Sequence, residues 1–139
     1  MKDLVPGGEA LLRKALAAIK AHPKSFNMGG WMDHDPAIAQ PRERLAGHIV
    51  LAAGFPAIDG STYEIAKLPA PLRPLAKRAA FADNFVSIRD LATYLVVGGD
   101  RYQRYDMEEE LFYGHEQTPA QIERTVDKWL AASWSLSAT

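Results

Sequence analysis

Three groups of side chains carry the chemistry this chain could perform. Asp33, His34 and Asp35 place two carboxylates around an imidazole, all ordinary ligands of a divalent metal. Consecutive side chains rarely converge on one ion, so such a site needs further ligands. His22, His48 and His115 are the available histidines. None stands at helical H-x-x-x-H spacing, and no Glu-x-x-His pair exists to build a di-metal centre in a helical bundle. A helix-capping aspartate with two solvated neighbours is the simpler reading. The second group is the acidic cluster Asp106, Glu108, Glu109 and Glu110, followed by Glu116. Asp106 and Glu110 lie four apart, where like charges on one helix face repel by a few tenths of a kcal/mol. Oxygen-rich clusters hold Mg²⁺ in phosphoryl-transfer enzymes, which makes a divalent-metal-dependent hydrolase the alternative function. A solvated helix face or a docking surface accounts for the same residues.

The third group is aromatic. Tyr94, Tyr102, Tyr105, Phe112 and Tyr113 fall close together beside Arg101 and Arg104, and tyrosine and arginine are enriched at binding hot spots. Charge is also unevenly spread. The segment between Lys67 and Arg104 holds seven basic and three acidic residues, whereas 105–127 holds one basic and seven acidic. Such asymmetry steers a charged partner or matches two helices that pack together. A basic stretch from Lys67 to Arg104 is also the third option, a nucleic-acid contact, though no recognition motif accompanies it.

Those groups need a scaffold, and the totals bound it. The chain has 139 residues, 47% apolar and 24% charged, with a net charge of −1, which fits one globular domain spanning 1–139. There is no cysteine, so disulfides, thiolate metal sites and cysteine nucleophiles are excluded. An early Pro6-Gly7-Gly8 break interrupts any secretory signal, and the apolar run at 49–56 is too short to span a bilayer. A cytoplasmic location without membrane contact is the expectation.

Helical periodicity dominates the chain. Leu11, Leu12, Ala15, Leu16 and Ile19 predict a helix over 9–21, ended by His22-Pro23. A packed irregular segment over 25–40 follows. A central helix over 41–54 presents Leu45, Ile49 and Val50, with Gly54 and Pro56 as stop signals. Ser61-x-x-Glu64 and Ser87-x-x-Asp90 have the form of capping boxes, predicting a short helix over 61–67 and another ending at Gly98-Gly99. Further helices are expected over 75–82 and 101–113. Thr118-Pro119-Ala120-Gln121 starts the last one, over 118–133, which buries Ile122, Val126, Trp129 and Leu130. The fold class is therefore all-α, a compact bundle of about five to six helices in a single domain.

The stretch IKAHPKSFNMGGWM and the helix RERLAGHIVLAAG resemble a group of small uncharacterised bacterial proteins, in which an A-x-P-x-x-F-x-M-x-x-W segment precedes a small-residue A-G-x-x-x-x-x-A-G helix. The later LFYGHEQTPAQIERTVDKWL is similar to their closing helix. Members of that group often carry a cysteine pair before the second helix, where this chain has Pro41-Arg42-Glu43-Arg44. The resemblance implies a helical fold and a bacterial or phage origin, and it carries no catalytic residue and no cofactor.

No nucleophile elbow, Walker loop or dinucleotide fingerprint occurs. The leading expectation is a small helical protein of regulatory, immunity or anti-defence type that binds another protein or itself. The residues expected to do so are Arg101, Tyr102, Arg104, Tyr105, Glu108, Glu109, Glu110 and Tyr113.

Overall fold

The computed structural model describes residues 4–21, 41–58, 60–81, 84–112 and 118–138, with side chains over 41–44 and 133–138 outside that description. Among the described residues there are six α-helices and one two-stranded sheet, so the all-α expectation holds. No described helix is long and apolar enough to cross a membrane.

The centre is a layer of three helices. Helix α1, Gly8–Ala21, buries Leu12, Ala15, Leu16 and Ile19, the stripe its three- and four-residue spacing dictates. Helix α2, Pro41–Ala52, contributes Leu45, Ala46, Ile49 and Val50, all fully buried, and ends at Gly54, whose φ of +98° suits glycine. The chain continues through β1, Thr62–Glu64, and two 3₁₀ turns, Ile65–Lys67 and Ala70–Leu72, into α3, Arg73–Ala79. Strand β2, Phe85–Ser87, leads directly into α4, Ile88–Val97. Helix α4 packs against both α1 and α2, and Ser87 caps it by accepting the Asp90 N–H at 2.9 Å, as the sequence box predicts.

Helix α1 begins unusually close to the end of α4. Val5 N–H donates to the Val96 carbonyl at 2.9 Å, and a Cβ on Gly8 would overlap that carbonyl. The glycine is required by the approach.

The short helix expected over 61–67 is a correction. Ser61 does not start a helix; its carbonyl accepts the Ile88 N–H at 2.8 Å, and Thr62, Tyr63 and Glu64 pair antiparallel with Ser87, Val86 and Phe85. Tyr63 is thereby turned inward, 5.8 Å from the Phe55 ring, and its hydroxyl donates to the Pro56 carbonyl at 2.5 Å. A β-branched and an aromatic residue suit a half-buried pleat, and pairing with a distant segment overrides the local box. Only the 3₁₀ turn over Ile65–Lys67 remains of the predicted helix. Helix α3 starts slightly before its expected position because Pro74 occupies the first turn, where no N–H is needed.

Helix α5, Arg101–Met107, continues into a π-helical turn, Glu108–Phe112. In a regular helix, Phe112 would come up beside Arg101, eleven residues and about three turns earlier. The wider turn winds less per residue and carries Phe112 into the core next to Leu111, both almost fully buried. Helix α6, Pro119–Ala138, opens with the full reciprocal box: Gln121 N–H donates to Thr118 Oγ1 at 3.2 Å and Thr118 N–H to Gln121 Oε1 at 3.0 Å. It buries Ile122, Val126, Trp129 and Leu130 against α1 and the π turn.

Candidate functional site

Gly98, at φ +82°, turns the chain out of α4, and Asp100 then caps α5 by accepting the Gln103 N–H at 3.0 Å. That sharp entry sets the rotation of α5 and so decides which of its side chains meet solvent. Arg104 is the first outcome. Expected on the docking surface, it instead points inward, with only 5% of its surface exposed. Its Nη2 donates to the Ala79 carbonyl at 2.7 Å and the Asp90 carbonyl at 2.8 Å, and Nε donates to Thr93 Oγ1 at 3.3 Å. The Phe81 ring covers the guanidinium at 4.3 Å. Burial pulls its pKa down, opposed by the nearby Asp90 charge. Arg104 thus ties the end of α3 to α4, and its role is internal. The signal was present in the sequence: Arg104, Met107 and Leu111 share helical spacing, and the latter two are core residues.

The opposite side of α5 is open. Arg101, Tyr102, Tyr105, Glu109 and Glu110 are all exposed, Tyr102 at 87% and Tyr105 at 64%. Phe81, missed in the sequence reading, joins them: it is 54% exposed and lies 5.1 Å from the Arg101 guanidinium, within cation–π range. Tyr105 is hydrogen-bonded to the Glu109 carboxylate, which raises the phenol pKa above its ordinary value. This bond also shows that positions 105 and 109 stay on one face across the start of the π turn. Tyr113 lies outside the described residues.

The remaining acids face inward partners. Glu108 is half-buried and sits 3.4 Å from Arg89 Nε, and Asp106 Oδ2 accepts the Trp129 indole N–H at 3.0 Å. Glu123 and Asp127 of α6 pair with Lys20 and Arg13 of α1, each at 2.7 Å. Much of the acidic excess is therefore matched within the fold, partly by α1, rather than by the basic segment alone. Within that segment Arg89 and Arg104 turn inward, Lys67 pairs with Glu64 at 3.1 Å, and Arg78 Nε donates to the Tyr94 hydroxyl at 3.1 Å.

Among the described residues no group of histidines and acids is placed to hold a metal. Asp33, His34, Asp35, His22 and His115 lie outside them, and His48 is half-buried on α2. A hollow of about 400 Å³ opens between the residues preceding α1 and the end of α4, lined by apolar groups including Leu11, Leu75 and Leu95, with Tyr94 at its edge. The phenol shifts, for Tyr63 through burial and for Tyr105 through Glu109, run away from neutral pH, opposite to what general acid–base catalysis uses. What the open face of α5 offers is aromatic contact area with a cation and carboxylates alongside. No known protein family, curated protein or solved structure matches the chain.

Proposed function

We propose that this chain acts by binding another protein, or a second copy of itself, through the outer face of α5 and its π turn, in a regulatory, immunity or anti-defence role. One observation carries the reading. Of the four large apolar or aromatic side chains exposed among the described residues, Tyr102, Tyr105 and Phe81 lie on α5 or against its Arg101. Tyrosine supplies rigid contact area at small entropic cost, and a few such anchors dominate most interfaces. Glu109 and Glu110 add the charge that sets register and excludes wrong partners. For the alternative, a metal-dependent hydrolase, the same cluster is less favourable, because Asp106 and Glu108 are already engaged by Trp129 and Arg89.

The test is affinity capture with the tagged chain from cells that contain it, comparing wild type with Tyr102→Ala/Tyr105→Ala and with Glu109→Lys/Glu110→Lys. Loss of an anchor worth about 2 kcal/mol weakens binding roughly thirtyfold. Specific capture should disappear in both variants while the helical circular dichroism spectrum is kept. An identical set of captured proteins in all three samples refutes the proposal.

A further inference from the structure

The exposed stripe of α5 has an order that makes it complementary to itself. Arg101, Tyr105 and Glu109 follow one another at four-residue intervals on one face, and all three are exposed. The stripe thus reads cation, aromatic, carboxylate, with the aromatic at its midpoint. Turned end for end, it presents carboxylate, aromatic, cation. We infer that the partner of this face is a second copy of the chain, paired antiparallel about a two-fold axis near Tyr105, with Arg101 of each protomer against Glu109 of the other. This rests on reading the α5 face as a binding surface and names its occupant.

The physical case comes from the symmetry of such contacts. A two-fold interface uses the same patch on both subunits, so each contact occurs twice and the patch must complement itself. Most charged stripes do not: a run of one sign repels its own copy. Here one reversal creates two opposite-charge pairs and stacks two Tyr105 rings at the centre, where hot-spot aromatics concentrate. A carboxylate offers two oxygens and several acceptor positions, so Glu109 can hold the Tyr105 hydroxyl and still accept from a guanidinium. Phe81, beside Arg101, extends the apolar contact at each end. Two helical turns and their flanks make a small interface, at the low end of the roughly 1,200–2,000 Å² typical of stable complexes. The pair is accordingly weak, with a dissociation constant on the order of 10–100 μM, and loosened by salt.

Sedimentation of the full chain over roughly a hundredfold range of concentration tests this, with charge reversal as the discriminating step. Arg101→Glu and Glu109→Arg each set like charges against one another in the homodimer and should weaken self-association at least tenfold. Mixed in equal amounts, the two variants face each other with opposite charges at both contacts, so the mixture should associate about as well as wild type. The double reversal R101E/E109R should also recover association, which shows that neither change harms the fold. A wild type that stays monomeric up to about 1 mM overturns the inference. So does a wild-type dimer that either single reversal leaves intact, or a mixture no better associated than its components. If the wild type is monomeric yet Tyr102→Ala/Tyr105→Ala still abolishes capture of another protein, self-pairing alone falls. Capture that survives those substitutions removes the binding surface itself.

Discussion

Replacing Arg104 with alanine should destabilise the protein by about 3–5 kcal/mol. Three hydrogen bonds are lost, two of them short bonds from a cation to backbone carbonyls, at 2.7 Å to Ala79 and 2.8 Å to Asp90. Bonds to charged groups contribute about 1.5–3 kcal/mol each, and removing the donor also strands the acceptors. Ala79 lies in the last turn of α3, where carbonyls have no following N–H to accept from. The Asp90 carbonyl is partly compensated, because the Thr93 hydroxyl also donates to it at 3.0 Å, and this holds the total below the simple sum. Loss of the contact with Phe81 adds about 0.5–1 kcal/mol for a half-exposed ring. Domains of this kind are stable by about 5–15 kcal/mol, so the variant loses about a fifth or more of its margin. Arg104→Lys keeps a charge but lacks the planar fork that reaches two carbonyls and Thr93 together, and should cost about 2 kcal/mol. Urea unfolding followed by far-UV circular dichroism measures both. A loss below about 1 kcal/mol for the alanine variant, close to what a surface substitution costs, would refute the claim that this guanidinium joins α3 to α4.

Gly8→Ala drives a methyl into the Val96 carbonyl; overpacking of this kind costs about 1–3 kcal/mol, and the melting temperature should fall by roughly 4–12 °C. Thr118→Ala removes one half of the α6 box and should cost about 1 kcal/mol in the same melting assay. Tyr63 has its pKa raised by burial above the 10.0 of a free phenol, so its contribution to stability is complete below pH 10 and declines as the pH rises toward the folded-state pKa. Between those values this residue alone lowers stability by about 1.4 kcal/mol per pH unit. Tyr63→Phe should lose that share of the alkaline slope, and at neutral pH it should cost about 1 kcal/mol through the Pro56 carbonyl. Urea midpoints measured at neutral and alkaline pH report both effects.

Local hydrogen bonding explains which parts of the fold the sequence discloses. The Ser87 and Thr118 caps are contacts between neighbours, written in the residues that make them, and both form. The apolar spacing of α1 and α6 likewise needs nothing beyond its own segment. Ser61-x-x-Glu64 has the same form yet pairs as a strand with 85–87, and the sequence hides this because the partner is distant and no hairpin signal joins them. The pairing of Glu123 and Asp127 with Lys20 and Arg13 is hidden for the same reason. Of the expected binding residues, Arg101, Tyr102, Tyr105, Glu109 and Glu110 do reach the surface, whereas Arg104 is internal and Glu108 is half-buried. Charge alone suggests exposure, but the rotation of α5 is set by Gly98 and Asp100, and that rotation turns a cation toward the Ala79 and Asp90 carbonyls.

The widened turn at Glu108–Phe112 gives one rod two angular phases. Before it, the stripe from Arg101 to Tyr105 is set by solvent; at its far end, Leu111 and Phe112 are set by the interior. Wound uniformly over the same number of residues, the rod would bring Phe112 out beside Arg101, and one of the two could not keep its orientation. The winding here thus matters as much as the identity of any core side chain, in a stretch whose acidic composition resembles freely variable surface.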